Sequence, residues 1–342
     1  MDVQQLKTTQ KPIVLYGMGN GADRIIDLLR LHGIEPAGVF ASDEFVRGQE
    51  FQGFRVMRYD EAKAVFGDMI VLVAFGSARQ DVLARIRAIA NEQELYVPDL
   101  PVVEGELFTR EFAAKNRENL QWVYDRLADD ISKKTFESVI QYKLTWEPAH
   151  LFSCELPQSE AYENLLCLQS NERFLDLGAY RGDTVEEFVR YCPNYASITA
   201  VEPDGYSFRK LTEKTEHLAN CTCIHAAASD RSGETMFAAK AGRGSRIAER
   251  GETIPTVCVD ALAKDGGFTF LNIDVEGAEA EVIAGAEKTV AQYRPKLLLA
   301  AYHRSEDLFR LPMMLLQMQP NYRLYMRKHP GLPAWDVNYY LV

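Results

Sequence analysis

The sequence has few cysteines, no long apolar run and no secretion signal, and each absence excludes a class of protein. Six cysteines are scattered over 342 residues without a C-x-x-C pair, which argues against a disulfide framework or a cysteine-ligated metal site. No apolar stretch reaches the ~18 residues that a membrane helix needs, and the amino terminus is polar. We therefore expect a protein of the reducing cytoplasm with no membrane partner.

Positive charge is also scarce. The chain has 38 Lys and Arg against 49 Asp and Glu, a formal net charge of −11. Such a surface repels phosphate backbones and anionic lipids, so we expect no nucleic-acid or membrane partner. With 47% hydrophobic residues the chain is ordinary globular material, and its length favours two domains.

After a polar tail at 1–10, residues 11–105 alternate buried strands with amphipathic helices, which predicts a small Rossmann-like α/β domain. We predict strands at 13–16, 37–40 and 69–74 and helices at 22–31 and 80–91. A G-x-G-x-x-A turn at 17–22, with Asp43 about 20 residues further on, fits a nucleotide site. A structural or acceptor-positioning role for this domain is the alternative.

Residues 106–165 are predicted to form a helical bridging segment, with one long helical stretch from Glu106 to about Tyr142. Its apolar stripe at helical spacing consists of Leu120, Val123, Leu127 and Ile131. The remaining residues, 166–342, return to strand–helix alternation. Their last two apolar runs, at 322–326 and 337–342, are joined without a helix and predict a closing hairpin.

The most informative segment runs from Phe174 to Thr184. A strand ends at Asp176, a turn with Gly178 and Gly182 follows, and a helix starts near Asp183. The glycines allow the backbone to approach a ligand closely. Glu202 ends the next apolar run, 20 residues after Gly182, where α/β folds bind the hydroxyls of a ribose. The spacing D-x-G-x-x-x-G differs from the G-x-G-x-x-G of dinucleotide enzymes.

A second segment, Phe268 to Glu279, contains I-D-V-E-G-A-E and again predicts a strand, an acidic tip, a glycine turn and a helix. In this order the two motifs resemble motif I of S-adenosylmethionine-dependent methyltransferases and the signature of the FkbM family. The resemblance covers roughly residues 120–342. One departure is Asn272, where the family usually has lysine.

The resemblance implies a class I methyltransferase fold, that is, a doubly wound α/β sheet with an antiparallel edge hairpin, and S-adenosylmethionine as the cofactor. Asp176 would face the amino-acid part of the cofactor, Glu202 the ribose, and the Ala226–Ala227 pair the adenine. The residues implied in cofactor binding are Asp176, Gly178, Ala179, Tyr180, Gly182, Asp183, Thr184, Glu202, Pro203, Ala226, Ala227 and Asp274.

Asp274, Glu276 and His303 are the predicted catalytic residues, because they follow two strands expected to be neighbours in the sheet. The two carboxylates could orient an acceptor hydroxyl, take its proton or bind a divalent cation; our prediction includes no metal. His303 has a suitable pKa for a general base. Glu279 is either functional or a partner of the helix dipole, and the basic loop Arg243–Arg246 is either an anion contact or a solvated loop.

The sequence therefore predicts a bacterial S-adenosylmethionine-dependent methyltransferase that O-methylates a sugar or glycan-like hydroxyl. The acceptor would be a small molecule or a glycan. Alternatives are methylation of another small metabolite at oxygen or nitrogen, an NAD-dependent oxidoreductase that uses the first half, and a non-catalytic nucleotide-binding module.

Overall fold

The computed structural model describes residues 3–103, 105–238, 246–247, 252–263 and 266–342, which form three sheets with flanking helices. The strands are β1 (Ile13–Tyr16), β2 (Gly38–Phe40), β3 (Glu50–Phe51), β4 (Phe54–Met57), β5 (Ile70–Val73), β6 (Glu94–Tyr96), β7 (Arg173–Leu177), β8 (Ser197–Glu202), β9 (Cys221–His225), β10 (Ala227–Ala228), β11 (Gly233–Ala238), β12 (Arg246–Ile247), β13 (Glu252–Val257), β14 (Phe270–Ile273), β15 (Lys296–Ala300), β16 (Leu324–Lys328) and β17 (Val337–Leu341).

The helices connect these strands and cover the faces of the sheets. They are α1 (Val3–Thr8), α2 (Asn20–Leu31), α3 (Tyr59–Phe66), α4 (Gln80–Ala90), α5 (Arg110–Lys115), α6 (Arg117–Tyr124), α7 (Asp130–Thr145), α8 (Pro148–Phe152), α9 (Gln158–Ala161), α10 (Asp183–Tyr191), α11 (Gly205–Thr215), α12 (Val259–Leu262), α13 (Glu279–Ala284), α14 (Glu287–Tyr293) and α15 (Asp307–Met318). A π-helical turn at Tyr162–Leu166 follows α9.

The first sheet has the strand order β3-β4-β2-β1-β5-β6, and β1 pairs in parallel with both β2 and β5. All residues of β1 and β5 are buried. A parallel sheet covered on both faces requires such uninterrupted apolar strands, so the predicted α/β character of this half is confirmed.

Helix α1 lies in the segment that we expected to be a polar tail. Val3 and Leu6 are three residues apart and therefore share one face of the helix. Both side chains are buried, and they belong to the same apolar cluster as Ile13 and Leu15 of β1.

The helical stretch predicted from Glu106 to about Tyr142 consists of three helices, α5 to α7. Asn116 separates α5 from α6, and the Asp129 carboxylate begins α7 by accepting a hydrogen bond from the Ser132 N–H at 2.7 Å. Because α7 begins a new helix after Asp129, Ile131 does not lie in the apolar stripe that was predicted to include it. The exposed fraction of Ile131 is 44%.

The second sheet has seven strands in the order β16-β17-β15-β14-β7-β8-β9. Strand β17 is antiparallel to both β15 and β16, which confirms the closing hairpin. Strand β7 pairs in parallel with β8 on one side and with β14 on the other. The chain changes direction of winding at β7, and α/β sheets bind ligands beyond the carboxyl ends of strands at such a point.

A small sheet of order β10-β13-β11-β12 lies beside the second sheet. Residues 243–245 of the predicted basic loop lie outside the described residues, and the Arg246 side chain does as well. Within the part of the chain that the structure describes, no helix is long and apolar enough to cross a membrane.

One apolar cluster extends through both halves of the protein. It includes Tyr16 and Val71 of the first sheet, Phe136 of the helical segment, and Leu175 and Leu271 of the second sheet. The two sheets are therefore joined by buried contacts, and the segment between them is part of the core.

Candidate functional site

A cleft of about 1060 Å³ lies at the carboxyl edge of the second sheet, beyond the ends of β7, β8, β14 and β15. Its volume is sufficient for a cofactor and an acceptor together, since ligand pockets commonly measure about 300–1,000 Å³. The turns that follow the four strands supply most of its wall.

The turn after β7 is shaped by two glycines with positive φ, Gly178 at 85° and Gly182 at 86°. A Cβ on Gly178 would lie 1.8 Å from the carbonyl oxygen of Asp274, in the turn after β14. Only glycine permits this contact between the two turns. The N–H groups of Gly178 and Ala179 both donate to the Val201 carbonyl at 3.0 Å, which fixes the turn above the start of α10.

Glu202 ends β8 and reaches the cleft from a nearly buried position, with an exposed fraction of 6%. Its Oε2 accepts the Tyr180 N–H and its Oε1 accepts the Asp204 N–H, each at 2.8 Å. Burial raises the pKa of Glu202 to about 7, although the two backbone N–H groups act in the opposite direction. Each oxygen retains acceptor capacity for a ligand hydroxyl.

Asp176 is buried below this turn and does not line the cleft. Its Oδ1 accepts a hydrogen bond from Asn272 Nδ2 at 2.8 Å, so the amide occupies the place where the family usually has lysine. Burial raises the pKa of Asp176 to about 7, and the neutral Asn272 provides a hydrogen bond but no compensating charge.

Only one residue of the Ala226–Ala227 pair lines the cleft. Ala227 lines it, next to Thr235 and Phe237 of β11, whereas Ala226 is fully buried and does not. His225 is stacked on Phe208, and its Nε2 lies 3.0 Å from the Pro203 carbonyl oxygen, so it belongs to the packing of the strand end.

The turn after β14 brings Asp274 and Glu276 into the cleft. Glu276 has a φ of 52°, an uncommon conformation for a residue with a side chain and one that is often found at functional sites. The Tyr302 hydroxyl lies 3.2 and 3.1 Å from the two carboxylate oxygens of Asp274. Desolvation raises the pKa of Asp274, and the nearby His303 partly offsets that rise.

His303 lies beneath these carboxylates with no exposed surface and does not line the cleft. Its Nδ1 is 2.9 Å from Glu279 Oε1, and its Nε2 is 3.4 Å from Asp274 Oδ1 and 3.6 Å from Glu276 Oε2. Burial alone would lower the pKa of His303, but the three carboxylates raise it to about 10. The imidazole is thus a protonated cation at neutral pH, with no free lone pair for a proton.

Glu279 is buried below the turn, and its Oε1 accepts the N–H groups of Val275 and Gly277 at 3.1 Å each. It therefore connects the turn to His303. One ligand atom each from Asp274, Glu279 and His303 lie within 4.8 Å of one another, a spacing that would also suit a divalent cation.

Ten of the predicted site residues line the cleft: Gly178, Ala179, Tyr180, Asp183, Thr184, Glu202, Pro203, Ala227, Asp274 and Glu276. Four do not, namely Asp176, Gly182, Ala226 and His303. Sequence reasoning missed Glu187, Tyr302, Arg304 and Asp336, which also line it. Tyr302 and Arg304 flank His303 after β15, so their position at a strand end was a usable signal; Glu187 and Asp336 carry no such signal.

Comparisons with known proteins agree with the α/β fold. Residues 176–329 match the family model of the methyltransferase FkbM domain. A crystal structure of a methyltransferase FkbM from Methylobacillus flagellatus KT is similar over 99% of this chain and 92% of its own, with a TM-score of 0.76 and 20% identity. The similarity between the two structures includes both large sheets and shows the α/β fold.

Two other structures cover about half of the chain. A precorrin-6y C5,15-methyltransferase from Geobacter metallireducens GS-15 is 15% identical, covering 53% of this chain and 83% of its own, with a TM-score of 0.35. A fibrillarin from Aeropyrum pernix in complex with S-adenosyl-L-methionine is 17% identical, covering 54% and 74%, also with a TM-score of 0.35. No curated protein matches the sequence.

Proposed function

We propose that this chain is a methyltransferase of the FkbM family, whose domain model matches residues 176–329, and that it uses S-adenosylmethionine to O-methylate a hydroxyl of a sugar or glycan-like acceptor. The observation that carries the proposal is the composition of the cleft. One wall has the glycine turn and Glu202, and the facing turn presents Asp274 and Glu276. A donor site and a proton acceptor thus share one cavity.

The residues of the first wall fit the methyl donor. The two oxygens of Glu202 each accept one backbone N–H and can each accept one ribose hydroxyl. The start of α10, behind Gly182, favours the carboxylate of the amino-acid part. When bound, the sulfonium of the donor supplies an electrophilic methyl group, and the protein contributes alignment and proton transfer.

The second wall fits a hydroxyl acceptor. With the donor bound to supply the methyl group, Asp274 would accept the proton of the acceptor hydroxyl as the hydroxyl oxygen is methylated. Desolvation raises the pKa of Asp274, which makes it a stronger base than an exposed aspartate. The Tyr302 hydroxyl, within 3.2 Å of the carboxylate, orients it.

In this proposal His303 is a positioning residue rather than the general base that the sequence predicts. Its cation lies 3.4 and 3.6 Å from Asp274 and Glu276, and therefore offsets the repulsion between two carboxylates at one turn. Glu279 compensates the same cation from the other side at 2.9 Å.

The test is transfer by Asp274→Asn. We expect turnover to fall by roughly 10² to 10⁴ because the base is lost, while donor affinity stays within a few-fold of wild type. Glu287→Gln, which removes a carboxylate on the exposed surface of α14, serves as the control and should change neither quantity. Wild-type turnover in Asp274→Asn would contradict the proposal and point to an acceptor amine. Loss of activity with a chelator would instead assign the carboxylates to a metal.

Methylation of another small metabolite, at oxygen or nitrogen, uses the same cleft and is the second candidate. The oxidoreductase alternative depends on the turn after β1, where Gly17 and Gly19 have positive φ. Retention of labelled S-adenosylmethionine or NAD by the purified protein separates the two classes. We place the enzyme in the cytoplasm, in keeping with its six unpaired cysteine thiols.

A further inference from the structure

A second cavity, of about 340 Å³, lies where the first half of the chain meets the loop between β16 and β17. Its wall includes Gly76 and Ser77, which follow β5, and Leu332, Trp335 and Asp336 of the hairpin loop. The carboxyl end of a parallel strand is a common ligand position in α/β sheets, so each half of the protein contributes a suitable edge.

The two halves are joined at this cavity by backbone hydrogen bonds. The Ser77 N–H donates to the Leu332 carbonyl at 2.8 Å, and the Leu332 N–H donates to the Ser77 carbonyl at 3.0 Å. Trp335 lies directly over Gly76, since a Cβ on that glycine would be 2.2 Å from Trp335 Cζ3. Glycine at position 76 is therefore required for the position of the indole ring.

Asp336 connects this cavity to the large cleft, because it lines both. An acceptor bound next to Asp274 can therefore continue past Asp336 onto Trp335. The second cavity therefore adjoins the large cleft at Asp336.

The chemistry of the wall fits a sugar ring. Trp335 contributes a half-buried, largely apolar indole ring to the wall, Asp336 can accept hydrogen bonds from hydroxyls, and the volume is at the lower end of the range for small ligand sites. Charge argues against a phosphorylated ligand. The described lining of the large cleft contains one arginine, Arg304, and eight carboxylates: Asp183, Glu187, Glu202, Asp204, Asp274, Glu276, Glu281 and Asp336.

We propose that the cavity between Gly76 and Trp335 is a subsite for an uncharged sugar ring of the acceptor, adjacent to the ring that is methylated. This proposal rests on the proposed function and gives the first domain a part in acceptor recognition. Trp335 provides the stacking surface, Asp336 the hydroxyl contact, and Gly76 the space that positions Trp335.

The experiment uses the full-length protein with S-adenosylhomocysteine present. The protein is first screened against an array of uncharged oligosaccharides and their monosaccharide units, and the disaccharide that binds most tightly is chosen. Its affinity is then measured by calorimetry. We expect Trp335→Ala and Gly76→Ala to weaken disaccharide binding at least tenfold, Trp335→Phe to restore part of it, and the affinity for the matching monosaccharide to stay unchanged. Trp122→Phe, a change of tryptophan on α6 in the helical segment, should leave both affinities unchanged.

Three outcomes would overturn the subsite: no uncharged disaccharide binds more tightly than its monosaccharide, Trp335→Ala loses no disaccharide affinity, or a sugar phosphate binds better than the uncharged sugar. The affinity for S-adenosylmethionine, measured on the same variants, keeps the two proposals apart. If donor affinity is unchanged but the disaccharide does not bind, only the subsite is contradicted. If the wild type does not bind the donor, the proposed function is contradicted.

Discussion

Three groups, Glu202 in the cleft and Asp176 and His303 buried beneath it, have pKa values that differ from those of exposed side chains, and the causes differ as well. Burial raises the pKa of Glu202 and of Asp176 to about 7. The pKa of His303 is raised to about 10 because its carboxylate neighbours outweigh its burial. The first two groups therefore titrate near neutral pH, and His303 remains charged there.

Glu202 makes donor affinity depend on pH. Ribose hydroxyls donate to the ionised carboxylate, whereas protonation below a pKa of about 7 removes an acceptor. We expect the affinity for S-adenosylmethionine to be constant above pH 8 and to fall by up to tenfold per pH unit well below 7. Calorimetry at several pH values measures this, and binding near pH 7 should release protons.

Glu202→Gln is the control for that experiment. It should bind the donor more weakly at high pH and show no dependence between pH 5.5 and 8.5 that is attributable to this group. A wild-type affinity that does not change with pH would place the ribose elsewhere.

Among the structural elements, the turns after β7 and β14 act as one unit because Gly178 permits their contact. Gly178→Ala puts a Cβ 1.8 Å from the Asp274 carbonyl oxygen and retains a φ of 85°. Overpacking and a left-handed backbone each cost about 1–3 kcal/mol. We therefore expect a loss of about 3 kcal/mol or more in the free energy of unfolding in urea, and weaker donor binding.

Gly33→Ala is the matched control, since Gly33 has a φ of 72° but no atom within 4 Å of the position that a Cβ would take. It should lose only about 1–2 kcal/mol of the free energy of unfolding, the cost of the backbone conformation alone. Equal losses in the two variants would show that the contact between the turns contributes nothing.

Strands β1 (13–16) and β14 (270–273) were predictable because each is an apolar run followed by a glycine turn. The helix breaks at Asn116 and Asp129 were missed, because polar caps within a continuing apolar stripe look like solvent-facing helix residues. The hairpin was predictable from the absence of a helix between its two runs.

The sequence predicts the candidate-site residues that lie at the ends of strands, such as Glu202 and Asp274. The sequence could not predict the environment of His303. Its environment depends on Glu279, at the start of α13, lying 2.9 Å away, and on the Val102 N–H donating to its carbonyl at 3.0 Å. Such contacts arise only when distant segments pack together.

At the scale of the whole molecule, the first half and the helical segment are joined by a nearly buried ion pair. Lys143 Nζ lies 2.9 Å from Asp99 Oδ2, and their side chains are 4% and 11% exposed. Beside it, the Tyr142 hydroxyl donates to the Val97 carbonyl at 2.9 Å. Together with the continuous apolar cluster, these contacts predict that the chain unfolds as one cooperative unit.

Lys143→Met tests this connection, because it leaves the Asp99 carboxylate buried without a partner. We expect a loss of about 3–5 kcal/mol in the free energy of unfolding, in a single calorimetric transition that shifts as a whole. Adding Asp99→Leu removes the unpaired charge and should recover most of the loss. Lys63→Met, at the exposed ion pair with Glu92, should have no measurable effect. Two separate transitions in Lys143→Met, of which only one moves, would mean that the halves fold independently despite their shared core.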